Sequence, residues 1–182
     1  MTKTRYTFAQ RSLHWLIALL VFGLLAIGLT FMTLGYDGTK GLFGNDLTNA
    51  LYKYHKTFGI LLFLLMILRV VLRRASPPPA YDPPLGGMER VIGGGTHLLL
   101  YLLLLGIPIG GALATTLGGY PLQFFNWELP SFLDKNEALS KQLFQVHGIA
   151  GLALLALVVL HIAAAIKHWK QKDGIMRRIS LP

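Results

Sequence analysis

The sequence predicts an all-α integral membrane protein, a four-transmembrane-helix bundle formed by a single domain over residues 1–182. Three observations carry that prediction. The chain is 53% hydrophobic and only 14% charged, too little polar surface for a water-soluble domain of this size. Its apolar residues fall into four long runs separated by charged or proline-rich stretches. Five of the six histidines, His14, His55, His97, His147 and His161, lie in or at the ends of those runs, where an unpaired imidazole is costly.

The first span is expected at residues 13–34. No charge lies between Arg11 and Asp37, and the run is long enough to cross a hydrocarbon core of ~30 Å. A signal peptide has a shorter apolar stretch and a small-residue cleavage site, so this run is expected to be retained. The second span covers residues 51–72, with only the stretch between Lys56 and Arg69 free of charge. The third covers residues 91–117 and holds Pro108 among Gly106, Gly110 and Gly111, which predicts a kink. The fourth, residues 142–166, lies between Lys141 and Lys167. The segment Ala75–Pro84, rich in proline, reads as an extended connector. Residues 118–140 mix aromatics, prolines and acids and are expected to form an irregular or partly helical cap on the opposite face.

Charge orients the bundle. Lys3, Arg5, Arg11, Arg69, Arg73, Arg74, Arg90, Lys167, Lys170, Lys172, Arg177 and Arg178 fall on one side, against Lys40, Lys53, Lys56, Lys135 and Lys141 on the other. Basic residues accumulate in cytoplasmic loops, so both termini are placed in the cytoplasm. The net charge of +9 is spread between the apolar runs instead of pooled on one domain, so it argues for membrane lipid and against nucleic acid.

With no cysteine in the chain, iron–sulfur clusters, disulfides, thiolate zinc sites and thioether-linked haem are excluded. Histidine remains as the ligand. Residues 14 apart on a helix are separated by about 21 Å in height and ~40° in azimuth, so His147 and His161 project from one face toward opposite membrane surfaces. The topology puts His55 near the outer surface with His147, and His14 and His97 at the inner level with His161. Each level then has histidines on different helices, enough for bis-histidine iron in two haems b held between the helices. Gly28 and Gly111 lie 14 residues after His14 and His97, and Gly59 and Gly151 four after His55 and His147. Each leaves side-chain-free space on a ligand face. Arg69, 14 residues after His55, reaches inner depth, where a haem propionate is a natural partner. The eight acids all lie outside the spans, which argues against an ion-coupled carrier or cation channel.

Ser12-Leu13-His14-Trp15, Tyr54-His55-Lys56 with Gly59, and Arg69 through Arg73-Arg74 before a proline-rich connector form an ordered set. Thr96-His97-Leu98 with Tyr101, Val146-His147-Gly148, and Leu160-His161 with His168 complete it. With this order and spacing, the chain resembles the bacterial cytochrome b561 family over nearly its whole length. Similarity to the superoxide-oxidising branch of that family implies that His14 and His161 hold the inner haem and His55 and His147 the outer one, with His97 left over. It also implies that superoxide is oxidised at the outer face and ubiquinone reduced near the inner haem.

Lys53 and Lys56 flank His55 and would draw an anion toward the outer haem edge, although lysines at helix ends also anchor them at the interface. His168 follows His161 by seven residues on nearly the same face and suits proton donation to quinone. Ser12 and Trp15, beside His14, extend that pocket. The rival reading is a haem subunit passing electrons from a hydrogenase- or dehydrogenase-type redox partner to quinone.

Overall fold

Helix α1 (Phe8–Ala75) starts at a capping box. The Thr7 hydroxyl accepts from the Gln10 backbone N–H, and the Gln10 side chain accepts from the Thr7 N–H. A straight helix of 68 residues would be about 100 Å long, three times a bilayer core. It instead folds back on itself at Gly35 (φ 64°, ψ −173°) and Gly44 (φ 78°, ψ 170°), a backbone region essentially restricted to glycine. The two limbs, residues 8–34 and 45–75, run antiparallel. Gln10 Nε2 in the first donates to Leu72 O and Ser76 O at the end of the second, at 3.1 and 2.8 Å. Near the fold, Phe31 stacks on Tyr52 with ring centroids 3.8 Å apart. The joint itself is helical, and the hydroxyls of the fully buried Thr39 and Thr48 donate to the carbonyls of Gly35 and Gly44.

The computed structural model of the chain describes residues 4–82, 84–131 and 133–181. Lys3, counted above with the basic residues, and Pro83 of the connector lie outside the described residues. Helix α2 (Gly87–Leu117) runs unbroken through Pro108 and packs along α3 (Glu137–Gln171) and against α1. Asn136 caps α3 by accepting from Leu139 N. Ser140 Oγ donates to Ala114 O across the α2–α3 contact at 2.8 Å.

The core is a narrow strip of Leu13, Ile17 and Val21 from the first limb, Leu62 and Met66 from the second, Leu100 from α2 and Leu154 from α3. Large apolar side chains such as Leu98, Leu102, Val159 and Leu160 point outward. In water that surface would be unfavourable; in lipid it is the expected exterior. All three helices are long and apolar enough to cross a membrane.

The segment expected as an irregular or partly helical cap contains a β-hairpin, β1 (Leu122–Phe124) paired antiparallel with β2 (Trp127–Leu129). It is fastened to the second limb of α1. Thr57 Oγ1 donates to Gln123 O and accepts from Phe125 N, Lys53 Nζ donates to Asn126 Oδ1, and Lys56 Nζ donates to Pro121 O. At the other end of the bundle, a 3-10 turn (Ile175–Arg178) folds the tail back over α3. Arg178 donates to Pro79 O of the connector, lies 3.7 Å from the Tyr81 ring centroid, and accepts at its carbonyl from Tyr6 N. N-terminus, connector and tail therefore meet at one end.

Candidate functional site

At the hairpin end, the second limb of α1 and α3 bring His55 and His147 opposite each other, with ring centroids 6.2 Å apart and planes at 72°. His147 Nδ1 lies 3.1 Å from Ile107 O. A carbonyl only accepts, so Nδ1 carries the proton and Nε2 keeps its lone pair. His55 Nδ1 is buried without a hydrogen-bond partner, an orphaned polar atom that calls for a ligand or solvent. Gly28, Gly59 and Gly151 border a cavity between these rings, closed by Leu62, Leu104 and Pro108. A Cβ on Gly111 would lie 2.8 Å from His147 Cε1, and one on Gly28 would lie 3.5 Å from His55 Cε1.

At the tail end, His14 of the first limb faces His161 of α3 with ring centroids 6.3 Å apart. His97 of α2 also faces His161, at 5.4 Å. The level holds three histidines, and the one read as left over sits beside the shared partner. Arg69 Nε donates to Tyr101 OH at 3.2 Å, and its Nη2 lies 3.4 Å from His14 Nδ1. Arg69 thus touches an expected ligand directly. Trp15 packs edge-on against His14 at 5.3 Å and donates its Nε1–H to Ile179 O of the tail.

Two imidazoles binding one metal from opposite sides, with metal–nitrogen bonds of ~2 Å, place their centroids roughly 6 Å apart. The 6.2 and 6.3 Å pairs meet that requirement. Among the described residues, no group of three or more His, Cys, Asp or Glu converges as a site for a bare metal ion. At the hairpin end, paired imidazoles, an orphaned ring nitrogen, and glycines where a macrocycle needs space together fit haem b; at the tail end the fit rests on the imidazole pair and Arg69 beside it.

Of the three residues expected to act on substrates, Lys53 and Lys56 lie beside His55, with both ammonium groups engaged by the hairpin. His168 lies beyond His161 near the end of α3, with Nδ1 2.5 Å from Asp173 Oδ2. Asp173 is the residue that sequence reasoning missed. Its only signal is an Asp-Gly pair just after a helix, which marks a turn and gives no direction for the carboxylate. Burial acts to raise the Asp173 pKa, but hydrogen bonds from His168 and from Ile175 N outweigh it and hold the carboxyl below its usual range. The Ile107 carbonyl was also missed; Pro108 frees the carbonyl of Leu104, four residues earlier, and gives no signal for Ile107.

The family model described as prokaryotic cytochrome b561 matches residues 5–180. Cytochrome b561 homolog 2 of Escherichia coli (strain K12) is 34% identical over 181 residues, covering 98% of this chain and 92% of that protein. Cytochrome b561 homolog 1 of the same organism is 24% identical over 178 residues, covering 96% of each.

Proposed function

The chain belongs to the prokaryotic cytochrome b561 family, and on that premise we propose that it is a di-haem enzyme of the bacterial inner membrane that oxidises periplasmic superoxide and reduces ubiquinone. The family by itself implies haem b electron transfer in a membrane. The finer reading has four passes, because the two limbs of α1 count separately, and both termini in the cytoplasm. His55 and His147 would hold the outer haem, and His14 and His161 the inner one beside Arg69. When bound, the haems supply one-electron carriers at two depths.

The observation that carries this reading is the pairing along α3. His147 and His161, about 21 Å apart along the axis, each face a histidine of α1 at 6.2 and 6.3 Å. The chain's other contributions follow from its groups. Ile107 O holds the His147 proton on Nδ1 and keeps Nε2 free. The apolar lining of the outer cavity excludes water. Lys53 and Lys56 keep two positive charges beside His55 while they fasten the hairpin. Two superoxide anions each give up one electron and leave as dioxygen; one quinone takes both electrons and two protons.

Stopped-flow mixing with superoxide tests the substrate. Reduction of the outer haem should be fast and should slow as salt rises, since exposed charges are screened beyond ~10 Å at 0.1 M. Lys53→Gln with Lys56→Gln keeps hydrogen-bond donors for the hairpin and removes both charges. It should slow reduction and flatten the salt dependence with haem content intact. A slow rate, indifferent to salt and to both substitutions, would favour a second reading: a haem subunit fed by a hydrogenase- or dehydrogenase-type partner. The hydrogen bonds that occupy Lys53 and Lys56 give that reading its one specific support.

A further inference from the structure

Arg69 stands on the second limb of α1, one helical turn short of the exposed Arg73 and Arg74 that end it. A charge at that depth is costly, and a long basic side chain usually reaches out to the interface to avoid the cost. Arg69 turns inward instead. Its Nε donates to Tyr101 OH of α2 at 3.2 Å, and its Nη2 stands 3.4 Å from His14 Nδ1. Among the described residues, no carboxylate lies within salt-bridge distance of it. The same guanidinium is within electrostatic reach of His97 and His161, and Arg73 and Arg178 join it at His97.

The hairpin end is built the other way. His147 Nδ1 gives its proton to Ile107 O at 3.1 Å. Among the described residues, no guanidinium or ammonium group acts on His55 or His147 at comparable range. Lys53 and Lys56 hold their ammonium groups up in the cap, on Asn126 and Pro121, with Glu128 near Lys56. Charges placed there steer an anion through water, and the same water screens them from the imidazoles.

The two levels therefore act differently on an iron held between their rings. A ligand imidazole that donates to a carbonyl is made more basic, and a more basic ligand favours the oxidised metal. A guanidinium only donates, so His14 Nδ1 meets no acceptor there and gains no such basicity. A positive charge in a medium of low dielectric favours the state that holds one more electron. Both effects have the same sign.

We propose that Arg69 makes the inner haem the better electron acceptor of the two and so sets the inward direction of electron flow, with Tyr101 as its positioning residue. The inference rests on the di-haem reading above and adds to it the residue that supplies the driving force. One electron leaves the outer level, which is oxidised, and arrives at the inner level, which is reduced. No bond forms or breaks in that step.

The test uses the full haem-loaded chain in detergent, titrated against electrode potential with redox mediators while the haem absorbance is recorded. The unaltered chain should be reduced in two steps. His147→Ala, which keeps the inner haem, should retain the step of higher potential, and His14→Ala the step of lower potential. Arg69→Gln keeps hydrogen-bond donors and removes the charge. It should hold both haems and lower the inner step by at least 59 mV, a tenfold loss in that level's hold on the electron, with the outer step in place. Arg69→Lys should recover at least half of the shift, and Tyr101→Phe should lower the inner step by a smaller amount than Arg69→Gln. An inner step unmoved in Arg69→Gln overturns the proposal, the result expected if a haem propionate cancels the guanidinium charge. If Arg69→Gln fails to hold haem, the order of the steps in the two histidine variants decides. Equal steps, or a higher step that belongs to the outer haem, overturn the proposal. One haem in the unaltered chain removes the di-haem reading and this inference together, whereas two haems in reversed order remove this inference alone.

Discussion

At Gly111 a single methyl group would sit 2.8 Å from His147 Cε1 and 3.0 Å from Nδ1, while the Ile107 carbonyl limits how far the ring can retreat. At Gly28 the same methyl would make ordinary contact with His55, at 3.5 Å. Gly111→Ala should therefore cost the chain its outer haem, about half of the total, and Gly28→Ala should retain both; haem content of the two purified variants checks this. The importance of these glycines was legible, because a 14-residue spacing keeps two positions on one helix face. The rotation of α2 against α3 was not, because packing sets it, and that rotation brings His97 within 5.4 Å of His161. Arg69 was read from its depth as a partner for a propionate. Its contacts with His14 and Tyr101 depend on side-chain reach, which spacing along one helix does not give. Asp173 was invisible for a related reason: its direction is set by the left-handed residues on either side of it, Lys172 and Gly174.

The elements were legible to different degrees. Long apolar runs announce helices directly, and α2 and α3 lie over the third and fourth runs. The joint in α1 was harder, since residues 36–43 are helical and only the glycines that bracket them, Gly35 and Gly44, carry the turn. Gly35 and Gly44 have left-handed φ with extended ψ, which a side chain tolerates poorly, whereas Gly41 has open space around it and ordinary helical backbone. Gly35→Ala and Gly44→Ala should each destabilise the chain by about 1–3 kcal/mol, and Gly41→Ala should be neutral or slightly stabilising; thermal unfolding in detergent separates them. The hairpin had no signal of its own. Its turn places Phe125 at φ 54°, where glycine is the usual choice. What holds it there is tertiary: Thr57 accepts from Phe125 N, and the ring packs on Phe58 at 6.5 Å and Phe124 at 5.0 Å.

Across the whole molecule, the two limbs of α1 and helix α3 carry paired histidines at two levels, one near each end of the bundle. The hairpin closes one end. The N-terminus, connector and tail close the other, joined through Arg178 to Pro79, Tyr81 and Tyr6. The basic segments that sequence reasoning placed on one side of the membrane are the segments that meet there. The central claim is that this frame holds two haems b per chain between His14 and His161 and between His55 and His147. A pyridine haemochrome assay on the purified chain and on its four single His→Ala variants tests it most directly. The unaltered chain should hold two haems b, with the same one lost from His55→Ala and His147→Ala, and the other lost from His14→Ala and His161→Ala. One haem or none in the unaltered chain would contradict it, as would loss of the inner haem from His97→Ala with its retention in His14→Ala.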